Sequence, residues 1–234
     1  VASAPTHRPE QQNWNHMDHD PQPHPSAPRI PLVDEFPSHP QLAATFDRAR
    51  STMGAVPNLY RTLGIAPEIL DAWIGFAWPL RHSAQTDRAT RELLIMRTAQ
   101  LHATDYEWRQ HWTMALAAGV TEEQLAALSM WPSADATTFS PAQHAALAMA
   151  DQLGAVGELD DATWASLHRH FGDRGCLELV LTTSFYACVS RVLNGLQVPL
   201  EPENAGVPAI GLNATTPHLG VDLRSDGPRG DGRQ

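Results

Sequence analysis

Three residues of this 234-residue chain have the types and spacing to move a proton. Glu107 and His111 stand at i and i+4, so on a helix they are neighbours on one face. An imidazole beside a carboxylate is the simplest proton-relay element, because the carboxylate fixes the tautomer and raises the basicity of the ring. The same spacing also describes an exposed pair worth only a few tenths of a kcal/mol. Ala115 and Ala118 continue the His111 face with small side chains, leaving room for a ligand or another helix. Arg109 and Gln110 are expected to point elsewhere, to solvent. The third residue, Glu92, falls on a helical stripe with Ala89, Met96, Ala99 and Ala103. A carboxylate among small and apolar neighbours loses hydration, which is expected to raise its pKa towards the range useful for proton transfer. A first-turn glutamate that serves the helix N-terminus is the simpler alternative.

Such residues need helices to bring them together, and the chain reads as helix between its two ends, with no period-2 strand. The pattern predicts helices near 40–53, 58–64, 67–82, 87–102, 105–119, 121–129, 141–154, 160–171 and 173–196. Asp87 and Asp105 are the expected N-caps of the two helices that carry the candidates. Pro67 and Pro141 suit first-turn positions, with Ser140 as N-cap before the latter. Thr121 opens a T-E-E-Q capping box closed by Gln124, and Gly119, Gly154 and Gly172 stand where helices should stop. Short loops imply antiparallel neighbours. The fold class is therefore all-α. Only five of the 19 prolines fall within residues 41–198. The expected division is a disordered polar tail over 1–28, a helical domain over 29–201 and a second disordered tail over 202–234. Arg29 to Val33 could lie extended on the domain surface.

Composition narrows the function classes. The net charge is −10 and all 16 basic residues are arginine, which argues against a nucleic-acid partner. With no run of 18 apolar residues and a polar start, neither a membrane span nor a signal peptide is expected. Cys176 and Cys188 are 12 residues apart on one predicted helix. That spacing rises roughly 18 Å, whereas a disulfide needs Cα atoms about 4.4–6.8 Å apart. Both read as buried packing thiols of a reduced, cytoplasmic protein. No metal site is expected: His16, His19 and His24 belong to the first tail, and His168 and His170 at i,i+2 lie on different helix faces. The sequon at Asn213 has no meaning in a cytoplasmic chain.

The stretch R-E-L-L-I-M-R-T-A-Q-L-H-A-T-D-Y-E-W-R-Q-H-W-T-M-A-L-A-A-G-V, Arg91 to Val120, resembles the core of the carboxymuconolactone decarboxylase and alkylhydroperoxidase-D (AhpD-like) superfamily. The segments Val56–Leu63, Pro67–Trp73, Phe139–Asp151 and Ser184–Glu201 resemble its longer single-chain members, so the likeness covers roughly 29–201. In the peroxidase branch a helical Glu precedes a Cys-x-x-Cys pair, with a His four residues after the second Cys. Glu92 and His111 match the Glu and the His. The cysteine positions fall on Thr104 and Glu107, which can form neither thiolate nor disulfide. The Y-E-W-x-x-H form is similar to the decarboxylase-like branch, where catalysis is proton transfer without a cofactor.

The resemblance implies a compact multi-helix fold and a homo-oligomer packed around the 87–119 helix pair, so that a neighbouring chain could complete the site. It implies a lyase (decarboxylase) or isomerase acting on a small carboxylated lactone or enolisable acid. Loss of CO₂ from such a lactone leaves an extended enolate, which needs a proton at the correct carbon. Glu92 and His111 would share that proton, with Glu107 orienting the ring. Tyr106 and Tyr186 would donate to the enolate oxygen, Trp108 and Trp112 would wall the cavity, and Arg191 would anchor the carboxylate. The rival readings are a thiol peroxidase and a non-catalytic helical scaffold or binding protein.

Overall fold

The computed structural model describes residues 27–211. The expectations for the histidine-rich start and for Asn213 lie outside the described residues. Eight α-helices follow one another: α1 (Pro40–Met53), α2 (Asn58–Leu63), α3 (Pro67–His82), α4 (Arg88–Leu101), α5 (Asp105–Ala117), α6 (Glu122–Ala127), α7 (Pro141–Ala155) and α8 (Asp161–Leu196). No strand occurs among the described residues.

Local chemistry sets most helix ends as the residue pattern predicts. Asp87 accepts the Thr90 N–H at 2.9 Å, and capping boxes form at Thr121 and at Ser140. Two ends differ. The N-cap of α5 is Thr104, not Asp105. Asp105 instead binds the Arg109 Nε–H at 2.7 Å and the Ile210 N–H at 2.9 Å. Gly154 lies inside α7, where a Cβ would come within 2.9 Å of Leu101 Cδ1; the glycine lets α7 approach α4 closely. At Gly172 the backbone (φ 61°) breaks α8 into the two predicted helical parts.

Helix α4 is the axis of the fold. Every residue from Thr90 to Leu101 is buried, and α5, α7 and α8 all pack on it. Leu93, Leu94, Met96 and Ala99 of α4 meet α5, α6, α7 and the middle of α8 in one apolar core. Ile95 faces a second, formed with α1, α2, α3 and the later part of α8. A helix buried all round must neutralise its own polar side chains. Arg97 does so through Asp151, with contacts of 2.6 and 3.1 Å, and Asp151 also accepts the Trp131 indole N–H at 2.9 Å. Because α4 is enclosed by its own chain, any contact between subunits has to use other faces. Helix α8 is long and apolar enough to cross a membrane by length and composition, yet half of its most apolar window is buried inside the fold.

Ordered structure runs past the expected boundary at residue 201. Residues 201–211 return over α5 as a strap, because α5 offers side-chain donors and acceptors to its backbone. The Arg109 guanidinium donates to the Ala205 and Val207 carbonyls at 2.9 and 2.8 Å, and the Trp108 indole donates to Pro208 at 3.1 Å. Arg109 is therefore not a solvent-facing residue. A chain cut after Leu200 should melt below one cut after Gly211 by about 4–8 °C, as expected for a loss of about 2 kcal/mol in a domain of this size. Circular dichroism melts would show it, and coincident curves would mean that the strap contributes nothing.

Candidate active site

Helix α4 turns into α5 through Ala103, whose backbone is left-handed at φ 49°. The reversal lays α5 back along α4, and with it brings the three proton-bearing residues together. His111 Nδ1 lies 2.7 Å from Glu92 Oε2, and His111 Nε2 lies 3.0 Å from Glu107 Oε1. The other oxygen of Glu92 is ion-paired with Arg88, one turn earlier on α4. Arg88 also donates to the Arg81 carbonyl at 3.1 Å, which ties the last turn of α3 to the same assembly. Relative exposures of 0%, 3% and 4% for Glu92, His111 and Glu107 show that the row is almost wholly removed from water.

The charges of this row follow from its partners. Burial pushes the Glu92 carboxyl up, but His111, Arg88 and Arg81 outweigh it and bring the pKa down to about 2. Burial likewise pulls the His111 imidazole down, and the two carboxylates raise it above its ordinary value. Glu92 is thus a permanent anion that holds an imidazolium, which corrects the expectation of a carboxyl raised by desolvation. In a dry site, a carboxylate bridged by two cations is the favoured ionised form.

A chamber of about 70 Å³ opens at the other end of the row. Glu107 and His111 line it, and Glu92 does not. The expected positions are therefore exchanged: Glu107 faces the chamber, while Glu92 sits behind the ring. Tyr60, Trp73, Tyr106, Phe185 and Tyr186 supply aromatic walls. A wider vestibule of about 370 Å³ adjoins it, sharing Met53, Pro57, Arg81, Gln110 and Met114.

The remaining predicted site residues divide. Tyr186 is in place: its ring edge meets the His111 ring at 5.1 Å, and its hydroxyl has no hydrogen-bond partner among the described residues. Burial raises the phenol pKa, so this hydroxyl remains a donor. Tyr106 lines the chamber, but its hydroxyl is already given to Glu201 at 2.6 Å. Trp112 packs against the first core and Trp108, 5.6 Å away, and neither indole lines the chamber. Arg191 is exposed on α8 and lines a separate cavity with His102, because its position on the helix turns it away from the Tyr186 face. Gln110, expected in solvent, lines both chamber and vestibule and donates to Glu201. The cysteines are unpaired, as expected; Cys176 is buried but Cys188 is exposed, and neither lines the chamber.

Two functional positions carry little or no signal in the sequence. Arg81 continues the buried face Leu70, Ile74, Ala77 of α3 at helical spacing, so an arginine ending an apolar stripe is the signal available for it. Glu201, in a proline-rich stretch, has none. It is buried, its pKa is raised by burial, and it accepts the Asn58 N–H at 2.7 Å besides the Tyr106 hydroxyl. No group of three or more potential metal ligands exists among the described residues.

The comparisons with known proteins agree with this architecture. Residues 67–152 match the model of the carboxymuconolactone decarboxylase family, which spans both helices of the row. No curated protein matches the sequence. Among solved structures, an AhpD-core peroxidase-related protein from Ralstonia eutropha JMP134 shares 19% identity over 76% of this chain and 94% of its own, with a TM-score of 0.67. A peroxidase-related protein from Silicibacter sp. TM1040 shares 20% identity over 76% and 92%, with a TM-score of 0.64. A debrominase in complex with 2,3,4-tribromopyrrole shares 19% identity over 70% and 88%, with a TM-score of 0.61. At these identities the likeness establishes a shared fold.

The ion row predicts a pH signature. Glu92 falls from an ordinary 4.5 to about 2 on folding, so its stabilisation is complete above pH 4.5 and disappears as the pH falls towards 2. His111 rises above 6.5 on folding, so its stabilisation is complete below pH 6.5 and is lost as the pH climbs through the raised value. Urea denaturation should give a stability plateau between these limits. Glu92→Gln should lower that plateau by about 3–5 kcal/mol, since it leaves charges without a partner, and should flatten the decline below pH 4.5. An unaltered acid limb in the variant would show that the row does not set it.

Proposed function

We propose that this chain, which matches the carboxymuconolactone decarboxylase family over residues 67–152 and shares its fold with AhpD-like structures, is a cofactor-free acid–base enzyme, a lyase or isomerase acting on a small carboxylated lactone or a related enolisable acid. The observation that supports this most is the placing of Glu107. It is a carboxylate lining an aromatic chamber, bonded to an imidazolium whose far nitrogen is held by a second carboxylate.

In this reading Glu107 and His111 form the working pair. For an isomerisation, Glu107 takes the proton from the acidic carbon, and the C–H electrons pass into the carbonyl to give an enolate. The Tyr186 hydroxyl donates a hydrogen bond to the enolate oxygen, and Glu107 returns the proton at a different carbon. For a decarboxylation, the C–C electrons form the same enolate as CO₂ leaves, and the imidazolium supplies through Glu107 the proton that the carbon then takes. Glu92 touches no substrate; it is a positioning residue that keeps His111 charged and oriented.

Of the rival readings, a thiol peroxidase is disfavoured because no cysteine lines the chamber or the vestibule. A scaffold would have no use for a phenol left unbonded beside the relay. The two unpaired thiols accord with the cytoplasm as its location. A homo-oligomer could use the exposed apolar residues Ile69 and Phe76 of α3 and Leu177 of α8.

Lactone acids and β-keto acids screened for CO₂ release or isomerisation would supply the assay. Glu107→Gln and His111→Asn should each lower kcat by about 10²–10⁴-fold, with the double variant scarcely worse than either. Glu92→Gln should also lower kcat, and should shift the alkaline limb of the pH profile to lower pH by releasing His111. If both working-pair variants turn over as fast as the wild type, the assignment is wrong.

A further inference from the structure

Arg81 has no part in the proton relay, yet its position is closely controlled. It stands in the last turn of α3 and lines both the chamber and the vestibule, so it forms the neck between them. Its carbonyl is tied to Arg88, the residue that also pairs with Glu92. The end of α3 that carries the guanidinium is therefore held beside the Glu92–His111–Glu107 row. Its only hydrogen-bond partners among the described residues are two thioethers: Met114 Sδ at 3.3 Å and Met53 Sδ at 4.0 Å. It forms no ion pair there, and thioether sulfur is a weak acceptor.

The guanidinium is drawn partly out of water with no carboxylate in contact among the described residues; Tyr186, Tyr60, Glu107 and Glu92 lie close enough to offset its burial and keep it charged. Arg97 and Arg88, on the next helix, both have carboxylates. The carboxylates whose charge reaches it, Glu107 and Glu92, are bonded to His111 and form no ion pair with it, and Glu201 across the vestibule has its oxygens occupied by Tyr106, Asn58 and Gln110. An incoming anion is the partner that the neck lacks, and a carboxylate matches the guanidinium fork in a bidentate fashion. The size of the chamber limits what lies beyond. At about 70 Å³ the chamber admits only a small group.

We propose that this site takes a carboxylate whose anionic group is held by Arg81 at the neck while a small, flat, unsaturated head enters the chamber between its aromatic walls, towards Glu107 and Tyr186. The anchored carboxylate is one that the reaction keeps. Ion pairing stabilises its negative charge, and that charge would vanish if the group left as neutral CO₂, so pairing opposes its loss. The bond that changes lies deeper, either in a proton shift within the head or in loss of a second carboxyl group from it. The inference rests on the proton-transfer reading only for the chemical steps after binding; the anchor itself is tested without turnover.

The test is calorimetric titration with 2-furoate, a five-membered unsaturated ring acid, and with furfuryl alcohol, its uncharged relative. Wild type and Arg191→Gln should both bind 2-furoate, whereas Arg81→Gln should bind it about ten- to a hundredfold more weakly. The alcohol should bind wild type at least about tenfold more weakly than the acid, a comparison that needs no variant to fold. No binding of 2-furoate by wild type, equal affinity for acid and alcohol, or undiminished binding by Arg81→Gln would each overturn the anchor. Any of these alongside a working Glu107–His111 pair would leave the proton-transfer reading standing. Intact anchoring with turnover indifferent to Glu107→Gln would do the reverse.

Discussion

A carboxylate with no exposure to water has to find cations or give up its charge, and Glu92 finds two. His111 and Arg88 reach it from different helices, and the geometry of the site follows from that requirement. The ring cannot rotate, because its second nitrogen is held by Glu107. Arg88 cannot move freely, because it also holds the end of α3. A buried ion pair alone is weak support for a fold, but this one lies where α3, α4 and α5 meet. It converts a desolvation cost into a fixed orientation for the groups that face the chamber.

The rest of the molecule supplies the dryness on which this depends. Helix α4 is enclosed by α5, α7 and α8, and the Arg97–Asp151 pair settles its other buried cation. With Leu94 and Met96 in one core and Ile95 in the other, the axial helix carries polar groups at two heights without opening a path for water between them. The chamber needs only the aromatic side chains of α2, α3 and α8 to finish its walls, which is why a helix assembly with no strand among its described residues can hold a small reaction space.

Much of this was legible in the residues. Helix ends were marked by capping side chains whose chemistry is local, so Asp87, Thr121 and Ser140 could be read directly. The meeting of Glu92, Glu107 and His111 was legible as well, from the spacing on α5 and from a resemblance to a known family. What could not be read was direction. The order of the three along the row depends on how α4 packs against α5. Arg191 was misplaced for the same reason: periodicity names a helix face, but not what lies against it. Trp112 suited a cavity wall and went to the core. Glu201 was out of reach, since its partners Asn58 and Tyr106 are 143 and 95 residues away in the chain and no local pattern records such a contact.

Those separations also govern when the vestibule can acquire its wall. During synthesis α2 through α8 emerge in order, and neighbouring helices can pair as soon as each is available. Asn58, Tyr106 and Gln110 have to wait for Glu201, so the contacts that shape the entrance join residues 143, 95 and 91 positions apart and form only after α8 is made. A nascent chain that has reached only α8 already possesses the relay, with Glu92, Glu107 and His111 all made, but it leaves these side chains without their acceptor. The order of manufacture thus places the chemistry first and the doorway last.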